Sequence, residues 1–171
     1  MKGIAKFKQP SIVLVPGCFA TKEFYQSVIS SLLAYSHNVE FAALSSIVSR
    51  NISEQDKPSA ATLEDDISCI RVILTRLANG GKDVLLVAHG YGAFPANEAC
   101  RSLSKLDRMA QGRTGGVIGL LYITGFIPSV GQSLAELVAE MDEKPAGSTM
   151  ILDVSKVQFL NNGDQKKLIN Y

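Results

Sequence analysis

Val84-Leu85-Leu86-Val87-Ala88-His89-Gly90-Tyr91-Gly92-Ala93 is the stretch that decides the fold. Four apolar residues read as a strand buried on both faces. Small residues at the first, third and fifth places of the turn (Ala88, Gly90 and Gly92) then let the chain reverse tightly. A helix resumes beyond them, with Ala96, Ala99, Cys100, Leu103 and Leu106 assigned to its inner side and Pro95 tolerable only in the first turn. Such a strand–turn–helix junction forces its central residue to φ > 0 and crowds the neighbours.

Upstream, Ser11-Ile12-Val13-Leu14-Val15 is a second buried strand, ended by Pro16-Gly17. Phe24, Val28 and Leu32, flanked by Tyr25, Ile29 and Leu33, recur at helical spacing. A weaker strand is expected from Asn38 to Ala42, and the polar segment from Ser45 to Ala60 reads as a loop. Leu63, Ile67, Ile70, Leu74 and Leu77 form one apolar stripe. Thr62 with Asp65 suits its N-cap and Gly80-Gly81 its end. Asp65 and Asp66 read as acids favouring the helix dipole.

Downstream, the loop from Gln111 to Gly116 precedes a fourth strand, Val117 to Thr124. Ser133 with Glu136 forms a capping box for a short helix. Thr149 to Val154 could be a strand, and the chain from Asp164 a helical turn or tail. Strands alternating with helices imply right-handed crossovers and a parallel sheet. The expected fold class is α/β, a parallel sheet of at least four strands with helices on both faces. Residues 1–140 would form its core and residues 141–171 a partial cap region or tail.

Composition narrows the function. With 171 residues, one domain with a sizeable core is expected. A net charge of +1 leaves no electrostatic footprint for nucleic acid or an anionic membrane. The longest apolar stretch, Val117 to Pro128, is too short for a bilayer. No apolar signal-peptide core follows the basic N-terminus, so a cytoplasmic protein is expected. Cys18, Cys69 and Cys100 are widely spaced and suggest neither a disulfide framework nor a zinc site. No cofactor or metal is indicated.

Four pieces in order resemble the α/β-hydrolase superfamily, and more narrowly the small enzymes related to plant methylesterases and hydroxynitrile lyases and their fungal relatives. They are Val13-Leu14-Val15-Pro16-Gly17-Cys18, where Pro16 replaces the usual histidine; Thr62-Leu63-Glu64-Asp65-Asp66; the elbow; and Leu121-Tyr122-Ile123-Thr124-Gly125-Phe126-Ile127-Pro128 with Gly131-Gln132-Ser133-Leu134. The resemblance covers roughly Ser11 to Leu137. It implies the strand order second, first, third, fourth.

In that family the elbow carries a nucleophilic serine in the pattern G-x-S-x-G, and two backbone N–H groups stabilise the oxyanion. Carried over, the donors are Cys18 and Tyr91, while the nucleophile position is Gly90, which has no hydroxyl. Phe19, His89 and Phe126 would line the pocket. The acid and histidine of the triad come later in such chains, beyond the cap. His37 and His89 are the two histidines here, and neither matches the catalytic one. The chain is expected to stop before both partners.

The resemblance implies a hydrolase-family protein of small-molecule metabolism, of the kind found in fungal secondary metabolism. It is esterase- or lyase-like by descent but without triad-based hydrolysis. The alternatives are a non-hydrolytic isomerase, cyclase or lyase using the same pocket, and a non-catalytic binding or subunit-interaction module. A small-molecule ligand is the expected partner, with self-association through an open sheet edge. Cys18 as substitute nucleophile and His89 as base are disfavoured readings, and Tyr91 is expected to shape the pocket mouth.

Overall fold

Buried, β-branched strands gather into one parallel sheet in the computed structural model, which describes residues 9–48 and 61–125 together with Ser133 and Glu136. The strands are β1 (Ser11–Val15), β2 (Val39–Phe41), β3 (Asp83–His89) and β4 (Gly116–Ile123), in the order β2-β1-β3-β4. That is the order the resemblance implies. All pairings are parallel, and Val15 lies opposite Ala88. This register brings the end of β1 and the end of β3 side by side. Their following loops leave the same sheet edge at the point where strand order reverses, the usual place for a ligand crevice in such sheets.

Helices cover both faces. A 3-10 turn (Lys22–Tyr25) and α1 (Gln26–Ala34) bury Tyr25 and Ile29 against Ile12, Leu14 and Val87. Leu32 packs against the same cluster, while Phe24 is 71% and Leu33 52% exposed. The other face packs Val13, Val15, Val84, Leu86 and Val117 against α3 (Leu63–Asn79) and α4 (Ala93–Ala99). Ile70 and Leu74 of the α3 stripe are fully buried. Thr62 and Asp65 make the expected reciprocal cap, and Gly81 leaves the helix at φ +69°.

Two expectations need correction. The segment from Ser45 to Ala60 is not all loop, since Ser45–Val48 forms the one-turn helix α2. Its start is held from outside the segment: the Asp66 carboxylate accepts the Ser46 N–H at 3.0 Å and the Ser46 hydroxyl at 2.7 Å. The helix after the elbow is also two helices, α4 and then α5 (Lys105–Ala110). Ser102 adopts φ +61°, and Ser104 caps α5 by accepting the Asp107 N–H at 3.0 Å. The Leu103 carbonyl accepts the Val117 N–H at 2.8 Å, tying the break to β4. Leu106 is therefore 45% exposed instead of facing inward, whereas Ala96, Ala99 and Leu103 are buried as expected. Pro95 does fall in the first turn of α4.

The Ser133–Glu136 capping pair is present, with Ser133 N–H donating to Glu136 at 2.7 Å. The helix it would open, the strand expected at 149–154 and the boundary at residue 140 lie outside the described residues.

Candidate active site at the elbow

Between β3 and α4 the chain passes through a 3-10 turn, Gly90–Gly92. Gly90 sits at φ +51°, the conformation expected of the central elbow residue. A Cβ added there would meet its nearest neighbour, the Gly17 Cα, at 3.8 Å, an ordinary contact. The space for a side chain exists, and glycine removes the backbone strain one would carry. Gly92 differs. A Cβ there would lie 2.5 Å from the Pro16 carbonyl oxygen and 2.9 Å from a Val15 methyl. The backbone of the β1 loop presses directly on this turn, so small size is obligatory at position 92 and optional at position 90.

The same proximity brings the two proposed donor segments together. Gly17, one residue before Cys18, lies so close to the elbow that a Cβ on it would be 2.9 Å from His89 Nδ1. Tyr25 explains this approach. Its hydroxyl accepts the Gly17 N–H at 2.9 Å and bonds His89 Nδ1 at 2.7 Å. With the phenol proton given to Nδ1, a neutral imidazole carries its own proton on Nε2. Burial raises the Tyr25 pKa, while the Gly17 N–H opposes that rise. Phe24 stacks over His89 with ring centroids 6.4 Å apart. His89 therefore binds the elbow to the β1 loop.

On the other flank, the Tyr91 phenol donates to Asp66 Oδ2 at 2.9 Å. Burial, and then the hydrogen bond and charge of Asp66, hold the Tyr91 phenol well above its ordinary ionisation range. Asp66 lies in the first turn of α3, as the dipole reading expects, and is fully buried there. Cys18 lies within electrostatic reach of Tyr91 and is exposed. Phe19 follows at φ +62° and is 65% exposed. Phe126 lies outside the described residues. A separate cavity of about 480 Å³ opens beside β2, lined by Thr21, Lys22, Val39, Phe41, Leu44 and Ile47 among others. None of the elbow residues lines it.

Tyr25 and Asp66 are the residues that sequence reasoning passed over. Asp66 carried one usable signal: it falls four residues before Ile70 on the buried stripe, a place where an acid needs partners. Tyr25 carried none, because its partner is 64 positions away.

Among the described residues no group of three or more His, Cys, Asp or Glu is placed to hold a metal, and no helix is long and apolar enough to cross a membrane. The cysteines differ in environment. Cys69 Sγ lies 3.2 Å from the Ser45 hydroxyl, and burial pushes the Cys100 thiol up to about 11. With thiolate the reacting form, maleimide at neutral pH is expected to label Cys18 first and Cys100 last. Peptide mapping by mass spectrometry over a time course checks that order.

A parallel sheet ordered β2-β1-β3-β4, with a small-residue elbow leaving β3, fits a partial α/β-hydrolase fold. Comparison with known proteins agrees. The chain is 30% identical over 159 residues to the alpha/beta hydrolase nvfD of Aspergillus novofumigatus, covering 88% of this chain and 59% of that protein. It is 30% identical over 125 residues to a probable hydrolase, R7, of a Phoma species, covering 73% of this chain and 46% of the relative. The chain thus spans about half the length of the curated relatives it matches. No protein-family profile matches it.

Proposed function

We propose that this hydrolase-family protein binds a small carbonyl- or carboxylate-bearing molecule at the elbow and forms no acyl intermediate there. One observation carries the reading. Gly90 occupies the nucleophile position, at the expected φ of +51°, without a hydroxyl. The backbone N–H groups of Cys18 and Tyr91 do not depend on that hydroxyl and are the proposed donors to the ligand oxygen. Acyl transfer needs a nucleophile that forms and then releases a covalent bond, and such a site retains only binding and polarisation. The relatives named as hydrolases support hydrolase-family descent, and a role in small-molecule metabolism and a cytoplasmic setting are part of the same proposal. Polarisation without a covalent step also suits an isomerase, cyclase or lyase. The Tyr25–His89 pair supports this second reading: when Tyr25 donates to Nδ1, the neutral imidazole keeps an Nε2–H for a ligand.

The protein is expected to resist a fluorophosphonate probe and to leave p-nitrophenyl butyrate uncleaved. Butyrate titrated into ¹⁵N-labelled protein is expected to shift the amides of Cys18, Gly90 and Tyr91 saturably. Stoichiometric phosphonylation with ester turnover would overturn the non-covalent reading. Amides that stay unmoved up to saturating butyrate would overturn the binding site.

A further inference from the structure

The α3 stripe of buried residues runs Asp66, Ile70, Leu74, Leu77, and its first member is a carboxylate with no exposed surface. A carboxylate in such a place is tolerable only when hydrogen bonds replace its water. Asp66 has three such partners: the N–H and hydroxyl of Ser46 on α2, and the phenol of Tyr91 in the elbow. The Thr62–Asp65 capping box fixes the first turn of α3 and so fixes where Asp66 points. Two segments distant in sequence, one of them the candidate site, are held from this single point. Gly92, immediately after Tyr91, runs so close to the β1 loop that a Cβ on it would lie 2.5 Å from the Pro16 carbonyl oxygen.

We infer that Asp66 is a positioning residue for the elbow, acting through the Tyr91 phenol to set the direction of the Tyr91 backbone N–H toward the ligand. The inference rests on the binding reading above for its ligand, but not for its geometry. Ser46 offers the control. Removing its hydroxyl takes one bond from Asp66, together with the Ser46 side-chain contact to the Tyr91 phenol, and leaves the Tyr91–Asp66 bond in place. Removing the Tyr91 hydroxyl does the reverse and leaves the ring to pack. A merely structural staple would respond alike to both changes, through stability alone.

Amide hydrogen exchange, thermal midpoint and butyrate affinity are therefore compared for wild type, Tyr91→Phe and Ser46→Ala. Tyr91→Phe is expected to speed exchange at Gly90–Ala93 and weaken butyrate about tenfold each, the scale of one lost charge-assisted hydrogen bond. Ser46→Ala is expected to lower the thermal midpoint while leaving elbow exchange and butyrate affinity at wild-type values. Elbow exchange unchanged in Tyr91→Phe, or raised equally by both variants, overturns the inference. If the wild type binds no butyrate but Tyr91→Phe alone loosens the elbow, the binding reading fails and the positioning role stands.

Discussion

Gly92→Ala is expected to destabilise the protein by on the order of 3 kcal/mol, far more than a single added methyl group usually does. The methyl would lie 2.5 Å from the Pro16 carbonyl oxygen, 2.9 Å from Val15 Cγ1 and 3.0 Å from the Val15 carbonyl oxygen. Two of these are backbone atoms at the end of β1, whose hydrogen bonds to β3 resist displacement. Relief requires the β1 loop and the elbow to separate, which also strains the Tyr25 bridge between Gly17 and His89. Gly90→Ser at the neighbouring position is the comparison. Its Cβ meets no atom closer than 3.8 Å, so the expected cost is mainly that of the positive φ, about 1–2 kcal/mol. Urea unfolding of both variants separates the effects. Equal losses would mean that the β1 loop yields readily and that the close approach is not a constraint.

Arg108→Ala is expected to lose about 3 kcal/mol, although it lies far from the elbow. Arg108 is 3% exposed, in the last turn of α5. Its Nε donates to the Gly115 carbonyl at 2.9 Å and its Nη2 to Asn79 Oδ1 at 3.0 Å. It thereby fastens α5 and the end of α3 to the turn that starts β4. That turn is tight, because a Cβ on Gly115 would stand 2.6 Å from the backbone of Gly81. Removing the guanidinium leaves a buried carbonyl without its donor and opens a cavity at the same place. Asn79→Ala removes one bond of the set and is expected to cost about 1 kcal/mol. Thermal unfolding read against wild type tests the pair. An Arg108→Ala midpoint no lower than that of Asn79→Ala would show that the Gly115 bond contributes little.

The parts of the fold legible in the sequence are those written in short windows. Ser11–Val15 and Val84–Val87 announce buried strands by unbroken apolar character. Thr62 with Asp65, and Ser133 with Glu136, announce caps because both partners lie within one helical turn. Gly90 was legible as a positive-φ position from its flanking small residues. Features set by partners far along the chain were not. The α2 turn depends on Asp66, 20 positions later, and the placement of His89 depends on Tyr25. The break between α4 and α5 was hidden because Ala96, Ala99, Leu103 and Leu106 keep a helical rhythm across it. What ends α4 is the bonding of Leu103 and Ser104 to β4, a sheet contact that no helical pattern encodes.

The unequal space at the two elbow glycines has a meaning for substitution. At position 90 a hydroxyl-bearing side chain can be lost or regained by one residue exchange with no neighbour repacked. At position 92 the same exchange requires a second change in the β1 loop. By this geometry, an elbow of the same shape tolerates exchange at position 90 while position 92 is confined to glycine.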